Sequence, residues 1–173
     1  MVGARNRRAL GVGLSLQDVS VLELRRYEER DAATVWRLHE DGLRQMNAHA
    51  GHGSWDDDLR SVRASYLEDD GEFLVGIIES EVVAMGALRR VSATVAEVKR
   101  MRVDIRFQRQ GFGRTILRRL EERARELGYR TLRLDTTVGQ VPAQHLYRSS
   151  GYREVGRAHL GGQELILFER QLT

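Results

Sequence analysis

The spacing of apolar positions along the chain changes period several times, and each change marks an element. Residues 21–27 set Val21 and Leu24 among charged neighbours, the mixture of a half-buried edge strand. Asp31-Ala32-Ala33-Thr34 then opens a helix with Val35, Leu38 and Leu43 on one side and Asp31 as its expected N-cap. The Gly- and His-rich segment 47–54 reads as a loop. A second helix is expected over 55–67, with Asp56, Asp57 and Asp58 in its first turn, where negative charge suits the helix dipole. Two strongly apolar runs follow, 73–78 and 82–88, separated by Glu79-Ser80-Glu81; this is the pattern of a buried antiparallel hairpin. Residues 95–104 form a further strand. Over 111–127 a helix is expected whose Ile116, Leu117, Leu120, Ala124 and Leu127 share a face. Arg118 and Glu122, and Glu121 and Arg125, are opposite charges one turn apart, and Gly128 marks the stop. Residues 131–136 form a strand, and Pro142 opens a short helix ending near Ser149. Residues 152–157 and 163–169 close the chain as two strands around Gly161-Gly162. The order β α α β β β α β α β β predicts a mixed α/β domain built on one central sheet.

The strand 95–104 breaks phase. Ala96 and Val98 are apolar at even positions, Met101 and Val103 at odd ones, and a regular strand has period two. One extra residue near Lys99-Arg100, a β-bulge, brings all four to one face; burial on both faces is the other solution. Bulges leave backbone groups unpaired and are enriched beside active sites.

Length and composition narrow the classes. A chain of 173 residues with 41% hydrophobic and 31% charged residues suits one folded domain, expected over 19–173, rather than a disordered chain. Residues 1–18 carry Arg5, Arg7 and Arg8 without a clean period and read as a flexible basic tail. With no cysteine, disulfides, thiol catalysis and Cys-type metal sites are excluded. No run approaches the roughly 20 apolar residues of a membrane span, so no membrane partner is expected and the cytoplasm is the expected compartment. The net charge is +3 with a pI near 9.7, and Lys99 is the only lysine. The arginines are interleaved with Asp and Glu, which argues against a nucleic-acid partner. His39, His49, His52, His145 and His159 are scattered without metal-ligand spacing and are expected at the surface. Asp56–58 and Glu68-Asp69-Asp70 read as a solvated acidic region.

Between the phase-breaking strand and the long helix lies Gln108-Arg109-Gln110-Gly111-Phe112-Gly113-Arg114-Thr115. Two glycines allow close backbone approach, and a helix start presents unpaired N–H groups at the positive end of the dipole. Such a turn suits a phosphate or a purely structural role. It is neither a dinucleotide fingerprint, since Ile116 stands where a third glycine belongs, nor a P-loop.

Gln108-x-x-Gly111-x-Gly113 resembles the Gln/Arg-x-x-Gly-x-Gly/Ala motif of the GNAT superfamily of N-acetyltransferases. The upstream Glu97-Val98-Lys99-Arg100-Met101-Arg102-Val103 resembles that family's bulged strand, and the downstream Ala143-x-x-Leu146-Tyr147-x-x-x-Gly151-Tyr152 its C-terminal signature. The resemblance covers roughly 73–168. It implies a mostly antiparallel sheet of about seven strands with a splayed pair, 95–104 and 131–136, flanked by about four helices. It implies acetyl-CoA as cofactor. The pyrophosphate would lie on the amides of Arg109, Gln110, Gly111, Phe112, Gly113, Arg114 and Thr115, and the pantetheine along Met101, Arg102 and Val103. Gln140 stands where the family often keeps an asparagine on the cofactor.

Acetyl transfer from a thioester to an amine needs a neutral amine, a donor for the developing oxyanion and a proton for the leaving thiolate. The resemblance makes Tyr147 the general acid, against a plain packing role for an aromatic on a short helix. Glu97 is the candidate base, against a solvated strand carboxylate. The acceptor is expected to be a primary amine of a small molecule or peptide, and the resemblance allows a homodimer. A CoA-binding sensor without turnover is the alternative.

Overall fold

The computed structural model describes residues 21–45 and 56–173, so the segments 1–18 and 47–54 lie outside the described residues. The elements are β1 (Glu23–Arg26), α1 (Ala32–Gln45), α2 (Asp57–Arg60), β2 (Glu72–Ile78), β3 (Glu81–Arg90), β4 (Val95–Val103), α3 (Phe112–Glu126), β5 (Thr131–Thr137), α4 (Val141–Ser149), β6 (Arg153–Leu160) and β7 (Gln163–Gln171). Seven strands form one sheet in the order β1-β2-β3-β4-β5-β7-β6, every pair antiparallel except β4–β5. None of the described helices is long and apolar enough to cross a membrane.

The alternation of each strand supplies two cores. On one face Ala96, Val98, Leu132, Leu134 and Phe168 pack with Ile116, Leu117 and Leu120 of α3 and Tyr147 of α4. On the other face Phe73, Val75, Met85 and Ala87 pack with Val35 and Leu38 of α1, Leu59 of α2 and Tyr66. The two strongly apolar runs therefore belong to β2 and β3, covered on both sides.

The phase break in β4 is a bulge. Met85 pairs with Arg102 and Ala87 with Lys99, so one residue of β3, Gly86, faces two of β4, Arg100 and Met101. Arg100 has φ +57°, a left-handed conformation that costs a non-glycine residue about 1–2 kcal/mol. Its result is the predicted one: Ala96, Val98, Met101 and Val103 all join the α3-side core. Opposite it, a Cβ on Gly86 would stand 2.6 Å from both Ile116 Cγ2 and Met101 Sδ.

What holds the bulge is charge. The Arg100 side chain turns to the opposite face and meets Asp58 through two bonds, Nε to Oδ2 at 2.9 Å and a short Nη2–Oδ1 contact. Its Nη1 also reaches Asp56 Oδ1 at 3.3 Å, and Tyr66 donates its hydroxyl to Asp58. His39 Nε2 lies 2.9 Å from Asp56 Oδ1. Burial, reinforced by the Arg102 and Arg100 charges and opposed by Asp56, drops the His39 ring to about 4. The neutral ring thus donates Nε2–H to a carboxylate that only accepts.

Several sequence expectations change here. His39 is buried, not a surface residue; His145 and His159 are exposed, and His49 and His52 lie outside the described residues. Asp56 and Asp58 are not a solvated face, because Arg100 needs both. The helix expected over 55–67 is two pieces, α2 and a wider π-turn at Arg63–Leu67, with Ser61 between them at φ −140°. Asp31 is not the N-cap of α1. A short 3₁₀ turn, Glu29–Asp31, precedes that helix, and there Asp31 accepts from the Glu28 N–H and pairs with Arg25. In α3, Glu121 is buried and pairs with Arg170 of β7 rather than with Arg125.

Two outcomes follow. Gly86→Ala should lower stability by about 1–3 kcal/mol through overpacking behind the bulge, read from urea unfolding. His39 takes a proton near pH 6.5 when unfolded and near 4 when folded. The unfolded chain therefore binds more protons in that window. Stability should be full above pH 6.5 and fall as the pH drops toward 4, by about 3 kcal/mol at most. His39→Gln should flatten that slope in urea titrations at stepped pH; an unchanged slope assigns it elsewhere.

Candidate active site

β4 and β5 pair over three rungs, ending at Glu97↔Arg133. Beyond that rung β4 continues through the bulge with β3 as its only ladder partner, while β5 continues with β7. The strands splay into a wedge, and the β5-facing backbone edge of residues 98–103 is left for an extended partner.

At the mouth of the wedge β4 ends at Val103, and a 3₁₀ turn, Ile105–Phe107, leads to the start of α3. Gln108 pins this connection by donating Nε2 to the Val103 carbonyl and to Gln45 Oε1, each at 3.0 Å. Arg109 and Gly111 both have positive φ, +63° and +85°. Gly111 caps α3 with no atom within 4 Å of the position its Cβ would take. The first-turn amides of α3 have no intrahelical acceptor and face outward between exposed Gln110, Arg114 and Thr115. Gly113 brings this end against α4 and β4, where a Cβ would sit 3.4 Å from Leu146. The bulged edge of β4, the end of its pairing with β5 and the amide nest of α3 thus follow one another along the chain from Glu97 to Arg114; a helix start with free amides is a ready anion site.

Tyr147 of α4 is buried in the α3-side core, with ring centroids 6.0 Å from Tyr152 and 6.1 Å from Phe168. Burial pushes its phenol up to about 12, opposed by the Arg102 charge and reinforced by Asp135. It therefore holds its proton across the ordinary pH range. Glu97 sits at the closed end of the wedge, in ion pairs with Arg89 (2.7 Å) and Lys99 (3.6 Å). With Asp135, Phe168 and Glu169 it lines a cavity of about 240 Å³ between β4, β5 and β7. Gln140 precedes α4 and accepts a short hydrogen bond from Thr136 of β5. A second cavity, about 250 Å³, lies between the end of α1 (Leu38, Gly42, Gln45) and the end of β4 (Val103, Asp104).

The structure sets Met101, Arg102 and Val103 on the stretch of β4 that β5 no longer pairs, residues 109–115 at the start of α3 and Tyr147 in the α3-side core, with Glu97 on the last β4–β5 rung; Val103 and Glu97 line two separate cavities. Sequence reasoning missed the supports: Arg100 with Asp58 and Tyr66, and the Gln108 amide. The phase break was the one signal for Arg100.

Comparisons with known proteins agree with this geometry. The family model described as Acetyltransferase (GNAT) family matches residues 32–152. N-acetylaspartate synthetase of Danio rerio is 33% identical over 101 residues, 57% of this chain and 36% of that protein; the chain thus spans about a third of that relative's length. The crystal structure of a GNAT-family acetyltransferase from Staphylococcus aureus MU50 superposes with a TM-score of 0.81 at 19% identity, over 88% of this chain and all of that one. The Salmonella typhimurium protein yncA, solved with its cofactor acetyl-CoA, superposes with a TM-score of 0.70 at 18% identity, covering 89% and 95% of the two chains. A splayed β4–β5 pair, a bulge before it and a glycine nest behind it, met by a family match over most of the chain, place this protein in the GNAT acetyltransferase family.

Proposed function

We propose that this protein transfers the acetyl group of acetyl-CoA to a primary amine of a small molecule or peptide. The observation that carries the reading is the end of β4–β5 pairing at Glu97↔Arg133, which leaves the bulged edge of β4 open beside the amide nest of α3. The yncA protein, of the same fold, was solved with acetyl-CoA, which supports the choice of cofactor.

When bound, acetyl-CoA supplies an activated acetyl thioester. The amides from Arg109 to Arg114 bind its diphosphate, helped by the Arg109 and Arg114 charges; the Thr115 N–H, expected from the sequence to join them, is taken by the Gly111 carbonyl at 3.0 Å. The backbone of Met101, Arg102 and Val103 pairs with the pantetheine arm, and Gln140 flanks it. Backbone N–H groups at the bulge, near Met101, donate to the carbonyl oxygen as charge develops there. The amine nitrogen forms the new bond to the acetyl carbon and the carbon–sulfur bond breaks. Glu97, through water, takes the amine's proton, and the Tyr147 hydroxyl gives one to the departing sulfur. With its phenol pushed up to about 12, Tyr147 stays protonated wherever the amine can be made neutral.

Gly111→Asp should weaken acetyl-CoA binding by tenfold or more in calorimetry, since it places a carboxylate in the nest at φ +85°; unchanged affinity refutes the diphosphate site. Tyr147→Phe should lower kcat by about a hundredfold or more in a thiol-release assay while acetyl-CoA affinity holds. Full activity of that variant across pH removes Tyr147 from the proton transfer.

A further inference from the structure

Among the described residues, every partly buried arginine but one comes with a carboxylate. Arg25, Arg89, Arg100, Arg119, Arg123 and Arg170 are partly buried, and each meets an Asp or Glu oxygen within 3.3 Å. Arg102 is equally withdrawn and meets none. Its Nη1 donates to its neighbour's carbonyl, Met101 O, at 2.8 Å, and its Nε is sealed from solvent with no partner. The side chain lies across Gly42 of α1, where a Cβ would stand 2.6 Å from its Cδ and 2.7 Å from its Nε. Glycine at that position makes the room. Asp56, the acid whose charge reaches it, is engaged by His39 and Arg100.

A half-buried guanidinium without a counterion is costly unless something brings the anion. Arg102 directly follows the bulge residue Met101, and the Gly42 backbone beside it also walls the cavity between α1 and β4. Its charge reaches Tyr147, which it pulls down against burial. Burial and the Arg100 charge in turn pull Arg102 itself down, opposed by Tyr147 and Asp56, and an anion beside it would act in the opposing direction.

We infer that Arg102 recognises a carboxylate on the acceptor, so that the substrate is an amine that also bears a carboxylate, such as an amino acid. This rests on the acetyl-transfer reading above and adds the acceptor class to it. A carboxylate held at Arg102 would lie beside the bulge residue Met101, between β4 and α1. The diphosphate nest, 7–13 residues further along the chain, plays no part in that contact.

The test uses matched acceptors with acetyl-CoA: L-methionine, L-phenylalanine, β-alanine and 4-aminobutyrate, each against its own amide, with rates compared per neutral amine. The wild-type protein should prefer the acid of at least one pair by about ten- to a hundredfold in kcat/KM, mostly through KM. Arg102→Gln, which keeps a donor for Met101 O, should erase that preference, and Arg102→Lys should restore part of it. Equal or better use of the amides by wild type overturns the inference while leaving acetyl transfer standing. A preference that survives in Arg102→Gln overturns the assignment to this residue, provided the variant still binds acetyl-CoA in calorimetry. Turnover of no acid and no amide by acetyl-CoA-bound wild type that does acetylate other primary amines overturns this inference and leaves acetyl transfer standing; no thiol release with any amine or peptide overturns both.

Discussion

A strand that gains one residue on one side cannot keep a regular ladder, and the architecture around the wedge is organised by that constraint in β4. Upstream of the bulge β4 has two partners; its last rung with β5 is Glu97↔Arg133, and from there the strand follows β3 alone. The extra residue returns Met101 and Val103 to the α3-side core, so the strand stays buried while its outer edge is released. Apolar packing and an unsatisfied backbone edge, normally alternatives, coexist because the bulge separates them.

The bulge needs an anchor, because Arg100 sits in a left-handed conformation that glycine adopts more easily. The anchor is the guanidinium itself, gripped by Asp58 and Asp56 with Tyr66 and His39 around them. The same buried charge suppresses protonation of His39, so the cluster carries two carboxylates against one permanent cation without a charged ring. Arginine suits this place: its planar fork meets Asp58 through two nitrogens, a geometry lysine lacks. The break between α2 and the π-turn that follows fits the same demand, since it aims Asp58 and Tyr66 at one point.

Polar work is also divided between elements. The start of α3 presents backbone amides beside the exposed Arg109 and Arg114. On α4, Tyr147 offers a phenol that burial keeps protonated. On the α1 side Arg102 has no carboxylate partner among the described residues. These are three different chemistries, backbone amides, a neutral phenol and a guanidinium, each on a different element next to β4.

Periodicity by itself determined the element order, the hairpin of β2 and β3 and the amphipathic α3, because alternation and the 3.6-residue stripe are local properties of the chain; it showed a phase break in β4 with two solutions, and the register against β3 decided for the bulge. Motif spacing marked the nest and Tyr147. It left open which charged side chains are buried, because a carboxylate at a helix start looks the same in sequence whether water or Arg100 faces it. The burial of His39, the capture of Asp56 and Asp58, the pairing of Glu121 with Arg170 and the isolation of Arg102 were all decided by contacts between elements 17 to 60 residues apart. The electrostatics of such groups depends on distance in space, and only the tertiary fold fixes that distance.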